Sequence, residues 1–158
     1  MAILKIVEDT DEMIRKKSRE VPEITPRIIT LLDDMLETLH DSRGVGLAAV
    51  QVGVLRRVII VEYEDGHPIE LINPVIIKKE GEQEGLEGCL SVPDRWGVTI
   101  RPKKVTVKAL DRNGKEFTLT AEDLGAKALC HECDHLEGIL FTDIAERMLT
   151  EEEMEELN

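Results

Sequence analysis

Hydrophobic side chains recur with a helical period in the first third of the chain. From Thr25 to His40 the apolar positions stand three or four residues apart, at Ile28, Leu32, Met35, Leu36 and Leu39. This spacing places them on one face of an α-helix, which Thr25 can cap and which we expect to end before Gly44. A shorter helix is expected upstream, around residues 11–18.

A second helix is predicted late in the chain. Thr120 is followed three residues later by Asp123, as in a capping box at the start of a helix. We expect this helix to run from near Thr120 to about Glu137, where Gly138 is suited to end it.

Between these helices the pattern changes to that of β-strands. Three segments are rich in Val and Ile or alternate between apolar and polar side chains: residues 57–63, residues 68–79 with an interruption at Asn73 and Pro74, and residues 105–109. Asn113 and Gly114 predict a hairpin turn into a further strand over residues 115–120.

The order of these elements indicates the fold class. A last, acidic helix is predicted from Thr150, where Glu153 completes a capping box. Helix, mostly antiparallel strands and helix in this order are typical of an α+β fold. We expect the strands to pack around the helix of residues 120–137, with one helix near the N-terminus and a short one at the C-terminus. The 158 residues have the length of a single domain, 1–158.

Composition and charge narrow the function classes. Hydrophobic residues make up 42% of the chain, an ordinary share for a folded protein. With 20 Lys and Arg against 33 Asp and Glu, the formal charge of −13 repels nucleic-acid phosphates and anionic lipids. No stretch reaches the roughly 18 to 20 apolar residues of a membrane span, and the N-terminus has no signal-peptide core. We therefore expect a cytoplasmic protein that binds neither membranes nor nucleic acid directly.

The string His131-Glu132-Cys133-Asp134-His135 carries the strongest chemical signal. Residues four apart lie on one face of a helix, so both imidazoles can reach one cation. Glu132 then lies beside the metal ion, where it can take a proton from a water molecule. The alternative is a pair of surface histidines on a polar helix face.

The three cysteines differ in their relation to these histidines. At about 100° per residue, Cys133 falls opposite the two histidines and Cys130 roughly perpendicular to them, so both are expected to be packed thiols. A divalent ion then needs a third protein ligand, a carboxylate or a thiolate. Cys89, which follows Gly88, is the best candidate, and the alternative is an ordinary buried cysteine.

Residues 44–51, GVGLAAVQ, form a glycine-rich segment. The segment lacks the spacing of a phosphate loop, and its small residues suit a ligand that passes close to the backbone. Gln51 at its end is either a capped surface amide or a donor to an oxyanion.

Taken together and in this order, three segments resemble the peptide deformylase family: GVGLAAVQ (44–51), EGCLS (87–91) and HECDH (131–135). The similarity extends to about Asp143. It includes ILKIVEDTDEMIRKKSREV near the start, LINP (71–74), SVPDRWGVTIRP (91–102) and VTVKALDRNGKEF (105–117).

The resemblance implies one divalent metal ion, bound by Cys89, His131 and His135. Fe(II) is expected as the native ion, and Zn, Ni or Co in purified material. A thiolate donates charge and suits ferrous iron, at the cost of sensitivity to oxygen.

The resemblance also implies the reaction, which is hydrolysis of the N-formyl group of newly made polypeptides with release of formate. Glu132 would accept the proton of the attacking water and return it to the leaving amine. The Gln51 side chain and the Leu90 backbone N–H would stabilise the charge that develops on the formyl oxygen.

The substrate implied is an N-formylmethionyl nascent peptide, with transient proximity to the ribosome. Its backbone would pair with Gly46 and with the edge near Cys89. Leu124 and Ala128 lie on the histidine face of the helix, and we expect them to line the methionine pocket with Val45. The alternative role of these side chains is plain core packing.

Several positions depart from the family or extend its pattern. Cys130 stands where the family commonly has Gln, and Val50 where it often has Pro or Thr. Trp96 is expected at the rim of the pocket. Asp134 is expected to pair with Arg101 and thereby to support the metal site.

Two other functions are weighed against this one. The first is a zinc peptidase of the HExxH kind, which usually takes a third ligand from a His or Glu beyond the helix, but no His follows His135. The second is a non-catalytic relative that binds formyl peptides without turnover. The presence of Cys89, Glu132 and Gln51 argues against such a loss of activity.

Overall fold

Helices and strands alternate along the chain in the computed structural model, which describes residues 2–157. The strands are β1 (Gly46–Ala48), β2 (Val58–Val61), β3 (Ile69–Glu80), β4 (Gln83–Cys89), β5 (Val92–Arg101), β6 (Lys104–Leu110), β7 (Glu116–Glu122) and β8 (Arg147–Met148). The α-helices are α1 (Pro26–Ser42), α2 (Leu124–Leu136), α3 (Phe141–Ile144) and α4 (Glu151–Glu155), with short 3₁₀ helices at Glu12–Arg15 and Ala49–Val52. None of the helices in this part of the chain is long and apolar enough to cross a bilayer.

The strands form two sheets. The larger sheet has the order β1-β2-β3-β6-β7 and the smaller one the order β4-β5-β8. All of the ladders between these strands of residues 2–157 are antiparallel. The predicted α+β class is therefore confirmed, and β1 and β4 each lie at the edge of their sheet.

Both faces of β2 are buried, and this organises the core. Val58 and Ile60 pack in the cluster that contains the apolar face of α1, whereas Ile59 and Val61 pack in the cluster that contains α2. A strand covered on both faces needs a continuous apolar run, which explains the Val-Ile sequence of this segment. Helix α2 therefore lies inside the molecule, and it also contacts β5 of the smaller sheet.

The apolar stripe predicted for α1 is confirmed. Leu32, Met35 and Leu39 have no solvent exposure, and burying each contributes about 1.5 to 3 kcal/mol. The helix ends at Ser42 and Arg43 adopts a left-handed conformation, so the chain turns before Gly44 as expected. Thr25 makes no side-chain capping hydrogen bond, so that part of the prediction is wrong.

The prediction that the second helix begins near Thr120 is also wrong. Thr120 belongs to β7, where it lies opposite Thr106 of β6, and α2 begins only after a turn at Asp123 with φ 54°. Pairing along a seven-residue ladder outweighs the local capping signal. At the other end, α2 stops at Leu136 and Gly138 has a φ of 76°, close to the predicted end.

The predicted interruption at Asn73 and Pro74 is a bulge within one long strand. The register of β3 against β6 shifts there, and Asn73 has a φ of 52°. Its side-chain amide exchanges hydrogen bonds of 2.8 and 2.9 Å with the backbone of Val21. This pairing holds the bulge against the N-terminal segment.

Other short elements follow the sequence to different degrees. The helix expected around residues 11–18 is one 3₁₀ turn over Glu12–Arg15, whereas α4 begins after Thr150 with the expected capping box. Strands β4, β5 and β8 and helix α3 lack a clear periodic apolar pattern, so sequence reasoning did not find them. Their positions depend on contacts with the rest of the fold.

Candidate active site

Three metal-ligand atoms converge where the end of β4 meets α2. The Nε2 atom of His135 lies 3.2 Å from the Sγ of Cys89 and 3.2 Å from the Nε2 of His131. In a tetrahedral site with ordinary bond lengths, such ligand atoms are about 3.3 to 3.6 Å apart. The donor set of one thiolate and two imidazoles therefore fits a single divalent ion.

Cys130 and Cys133 do not take part in this group, which among residues 2–157 consists of Cys89, His131 and His135. Both side chains are buried in the core cluster. Burial raises the pKa of Cys130 to about 11 and that of Cys133 to about 12, so both thiols stay protonated at neutral pH. They are packed thiols, as the helical angles predict.

Glu87 orients the ring of His131. Its carboxylate lies 2.5 Å from the Nδ1 of His131 and accepts two hydrogen bonds from Arg101, at 3.0 and 2.7 Å. Thr99 donates a further hydrogen bond of 2.8 Å to the same carboxylate. Because Nδ1 is engaged with Glu87, the Nε2 of His131 is the nitrogen left to face the ion.

Arg101 joins this carboxylate to the surface of α2. Its guanidinium donates a hydrogen bond of 2.6 Å to Asp134, so the predicted pair is formed. Arg101 and Glu87 are 5% and 4% exposed, and a buried carboxylate of this kind requires such a partner. Sequence reasoning gave Glu87 no role, although it stands only two residues before Cys89 in the same motif.

The pKa values of the two histidines are shifted in opposite directions. Burial acts to lower the pKa of His131, but the charge of Glu132 and hydrogen bonds with Cys89 and Glu87 outweigh it and raise the pKa well above its usual value. Burial and the charge of His131 lower the pKa of His135 well below its usual value. His135 is therefore neutral, with a lone pair available on Nε2.

Glu132 is buried beside the ligand group. Burial raises the pKa of its carboxyl group to about 7, and its Oε1 atom has no hydrogen-bond partner in the described chain. A β-carbon at Gly46 would lie 2.5 Å from the Oε2 of Glu132, so glycine there makes room for the carboxylate. A buried carboxylate with a free oxygen and a pKa near neutrality is suited to accept and return a proton.

The Gln51 side chain is also buried, at 1% exposure, so the alternative of a capped surface amide is wrong. Gln51 is the third residue of the 3₁₀ helix Ala49–Val52, and its Oε1 accepts a hydrogen bond of 2.9 Å from the N–H of Ala48. Its Nε2 donates to the Oγ of Ser91 at 3.0 Å and lies 3.6 Å from the Sγ of Cys89. The amide N–H group therefore faces the candidate metal centre.

An open cleft of about 390 Å³ leads from solvent to these side chains, between the edge strands β1 and β4. All of the residues expected to contact substrate line the cleft, together with Leu90 and Trp96: Val45, Gly46, Leu124 and Ala128. Val45 and Leu124 are 36% and 46% exposed, whereas Ala128 is 7% exposed and also belongs to the core. Gly88 permits the Trp96 ring to lie against β4, since a β-carbon there would be 2.9 Å from the ring.

The chain is similar in sequence and in fold to known proteins of one family. The sequence profile of a family described as polypeptide deformylase matches residues 3–151. A protein of Thermoanaerobacter pseudethanolicus named peptide deformylase is 54% identical over 157 residues, which are 99% of this chain and 98% of that protein. The crystal structure of a peptide deformylase from Legionella pneumophila has 40% identity and a TM-score of 0.87, and the match covers 98% of this chain and 95% of that one. The structure of a peptide deformylase from Synechococcus elongatus in complex with actinonin has 34% identity and a TM-score of 0.87, with coverage of 97% and 82%.

Proposed function

Because the chain belongs to the polypeptide deformylase family of metal-dependent hydrolases, which remove the N-formyl group of nascent polypeptides, we propose that Cys89, His131 and His135 hold its catalytic metal ion. The proposed ion is Fe(II), as the resemblance to the family implies, and a donor set of one thiolate and two imidazoles is compatible with it. Zn, Ni or Co would occupy the same ligands in purified material. An ion held by these residues would supply Lewis acidity, both to the formyl carbonyl and to a water molecule near neutral pH.

Glu132 is the proposed general base and acid. Its free Oε1 accepts the proton of the attacking water and then returns it to the nitrogen of the methionine as the C–N bond breaks. The products are formate and a free amino terminus. A pKa of about 7 lets one carboxyl group perform both proton transfers near neutral pH.

Gln51 and Leu90 are the proposed oxyanion donors. The Gln51 amide faces the centre from one side, and Leu90 follows Cys89 directly and lines the cleft. Their N–H groups would donate to the formyl oxygen as negative charge develops on it. Donors that are already in place stabilise the transition state without reorganisation.

The substrate lies between the two edge strands in this proposal. An extended peptide adds backbone hydrogen bonds to Gly46 of β1 and to the end of β4, and the methionine side chain enters the pocket of Val45, Leu124 and Ala128. Actinonin, bound in the Synechococcus elongatus structure, is expected to occupy the same cleft here. We place the reaction in the cytoplasm, where nascent chains leave the ribosome, with only transient ribosome proximity because the segment 150–157 is acidic.

The observation that carries the proposal is the placement of Glu132, a buried carboxylate with one unpartnered oxygen, beside a Cys-His-His group at the base of an open cleft. The HExxH zinc peptidase is disfavoured because the third donor beside the two histidines is a thiol rather than a later His or Glu. A non-catalytic relative has no need for a buried carboxylate without a partner, which costs folding free energy.

The test is formate release from a formyl-Met-Ala-Ser peptide by protein purified without oxygen, with metal analysis of the same sample. We expect about one ion per chain and turnover that a chelator removes and Fe(II) restores. Cys89→Ala should lose the ion, whereas Cys130→Ala, the matched change of a buried thiol outside the group, should keep it. Stoichiometric metal without formate release, or a peptidase product, would contradict the proposed reaction.

A further inference from the structure

Ser91 and Gln51 lie next to strands of different sheets, yet their side chains meet beneath the cleft. Gln51 follows β1 of the larger sheet, and Ser91 lies in the turn between β4 and β5 of the smaller one. Ser91 has no solvent exposure, and its Oγ accepts a hydrogen bond of 3.0 Å from the Nε2 of Gln51. The mechanism proposed above assigns no role to this hydroxyl group.

The two ends of the Gln51 amide are distinguished by their partners. Its oxygen accepts from the Ala48 N–H at 2.9 Å, so the nitrogen must be the end that faces Ser91. An amide nitrogen carries two hydrogens. One donates to Ser91, and the other is directed toward the Sγ of Cys89, 3.6 Å away, and therefore toward the candidate metal centre.

The N-terminal segment, at Val7 and Asp9, binds the backbone of both residues. The backbone N–H of Val7 donates to the carbonyl of Gln51 at 2.7 Å, and that of Asp9 donates to the carbonyl of Ser91 at 2.7 Å. One short segment therefore binds both residues, although they follow different sheets. These two backbone hydrogen bonds keep Gln51 and Ser91 close enough for their side chains to meet.

We propose that Ser91 is a positioning residue, whose hydroxyl group holds the Gln51 amide so that its second N–H points at the developing oxyanion. This inference rests on the proposed deformylase reaction. Without the hydroxyl, the amide keeps its contact with the Ala48 N–H but loses the partner that fixes its nitrogen, and realigning the nitrogen adds to the activation free energy. Such an effect appears in kcat, because the ground-state formyl oxygen gains little from the donor.

The first test is Ser91→Ala, measured with formyl-Met-Ala-Ser. We expect kcat to fall about tenfold, less than the 100-fold or more typical of deleting an oxyanion donor, with KM within about twofold. Metal content and the absorption spectrum of the Co(II) enzyme should not change. Ser18→Ala is the matched control, because Ser18 is a buried serine whose Oγ has no hydrogen-bond partner in residues 2–157.

A double-mutant cycle with Gln51→Ala separates positioning from a general structural effect. If Ser91 acts through Gln51, Ser91→Ala should lower kcat by less than about twofold in the Gln51→Ala background. Ser91→Cys, which keeps a weak acceptor, supplies a second variant and should lie between Ser and Ala. The inference is overturned if Ser91→Ala still lowers kcat tenfold relative to Gln51→Ala alone. It is also overturned if Ser91→Ala by itself keeps the kcat of the wild type. A wild-type protein that releases no formate would instead overturn the proposed function.

Discussion

The Nδ1 atom of His131 is bound to Glu87, and this contact decides which nitrogen of the ring can serve a metal ion. Glu87 is in turn held by two hydrogen bonds from Arg101. A neighbour that fixes ring orientation in this way also raises the basicity of the ligand. The carboxylate therefore belongs to the metal centre although it would not touch the ion.

Glu87→Gln should weaken metal binding by about 10- to 100-fold, because the amide cannot replace the charge that holds both His131 and Arg101. The measurement is competition between the protein and a chromogenic chelator. Glu84→Gln, an exposed position on the same strand, is the control and should leave the affinity unchanged. Equal affinities for the wild type and Glu87→Gln would show that the contact has no role in metal binding.

Glu132→Gln should retain the metal ion and lower kcat by at least about 100-fold, because the amide cannot accept the proton of the attacking water. Metal analysis and formate release on the same preparation give both values. The exposed Glu122→Gln, just before α2, should behave as wild type. Normal turnover by Glu132→Gln would remove the residue from its proposed role.

The charge of the cleft should influence the residues that follow the formylmethionine. Arg43 and Lys127 line the cleft, and the Nζ of Lys127 donates to the carbonyl of Leu86 on the edge strand β4. The carboxylates of the same lining, Glu87 and Glu132, are buried. A peptide with Glu as its second or third residue should therefore meet a locally positive rim, in spite of the net charge of −13.

The comparison is between this Glu-containing peptide and the same peptide with Lys in place of Glu. We expect kcat/KM to be about three- to tenfold higher for the Glu-containing peptide at low salt, and the ratio to approach one near 1 M salt. Arg43→Gln combined with Lys127→Met should remove the preference. The exposed Arg27→Gln on α1 serves as the control for a change in net charge alone. A preference that survives the double change, or one that salt leaves unaltered, would require another cause.

Gly138→Ala should destabilise the protein by more than about 2 kcal/mol, because it combines two costs. Gly138 has a φ of 76°, and a β-carbon there would lie 2.2 Å from the backbone oxygen of Arg15. Gly66→Ala isolates the first cost, since Gly66 has a φ of 81° with nothing within 4 Å of an added β-carbon. Urea denaturation should show a loss of about 1 kcal/mol for Gly66→Ala. Equal losses in the two variants would mean that the close approach to Arg15 has no energetic consequence.

Local periodicity predicted the parts of the structure that neighbouring residues in the chain decide. The stripe of α1, the shared face of His131 and His135 and the opposite face of Cys133 all follow from the fixed angle between residues on a helix. Capping at Thr150 is a contact within four residues, and it was predicted correctly. At Thr120 the same kind of signal failed, because pairing with β6 competes with it.

The order of the residues is enough to predict the class of the fold, the helix that presents two imidazoles and, through three motifs, the chemistry to expect. It does not predict that Glu87 and Arg101 hold His131, that Ser91 meets Gln51, or that β4 ends beside α2, which are seen in the folded chain. The difference lies in how far apart the contacting residues stand in the chain. A helix or a cap is specified by residues one turn apart, whereas these contacts join residues from 14 to 46 positions apart and form only when strands pair and the sheets pack against α2.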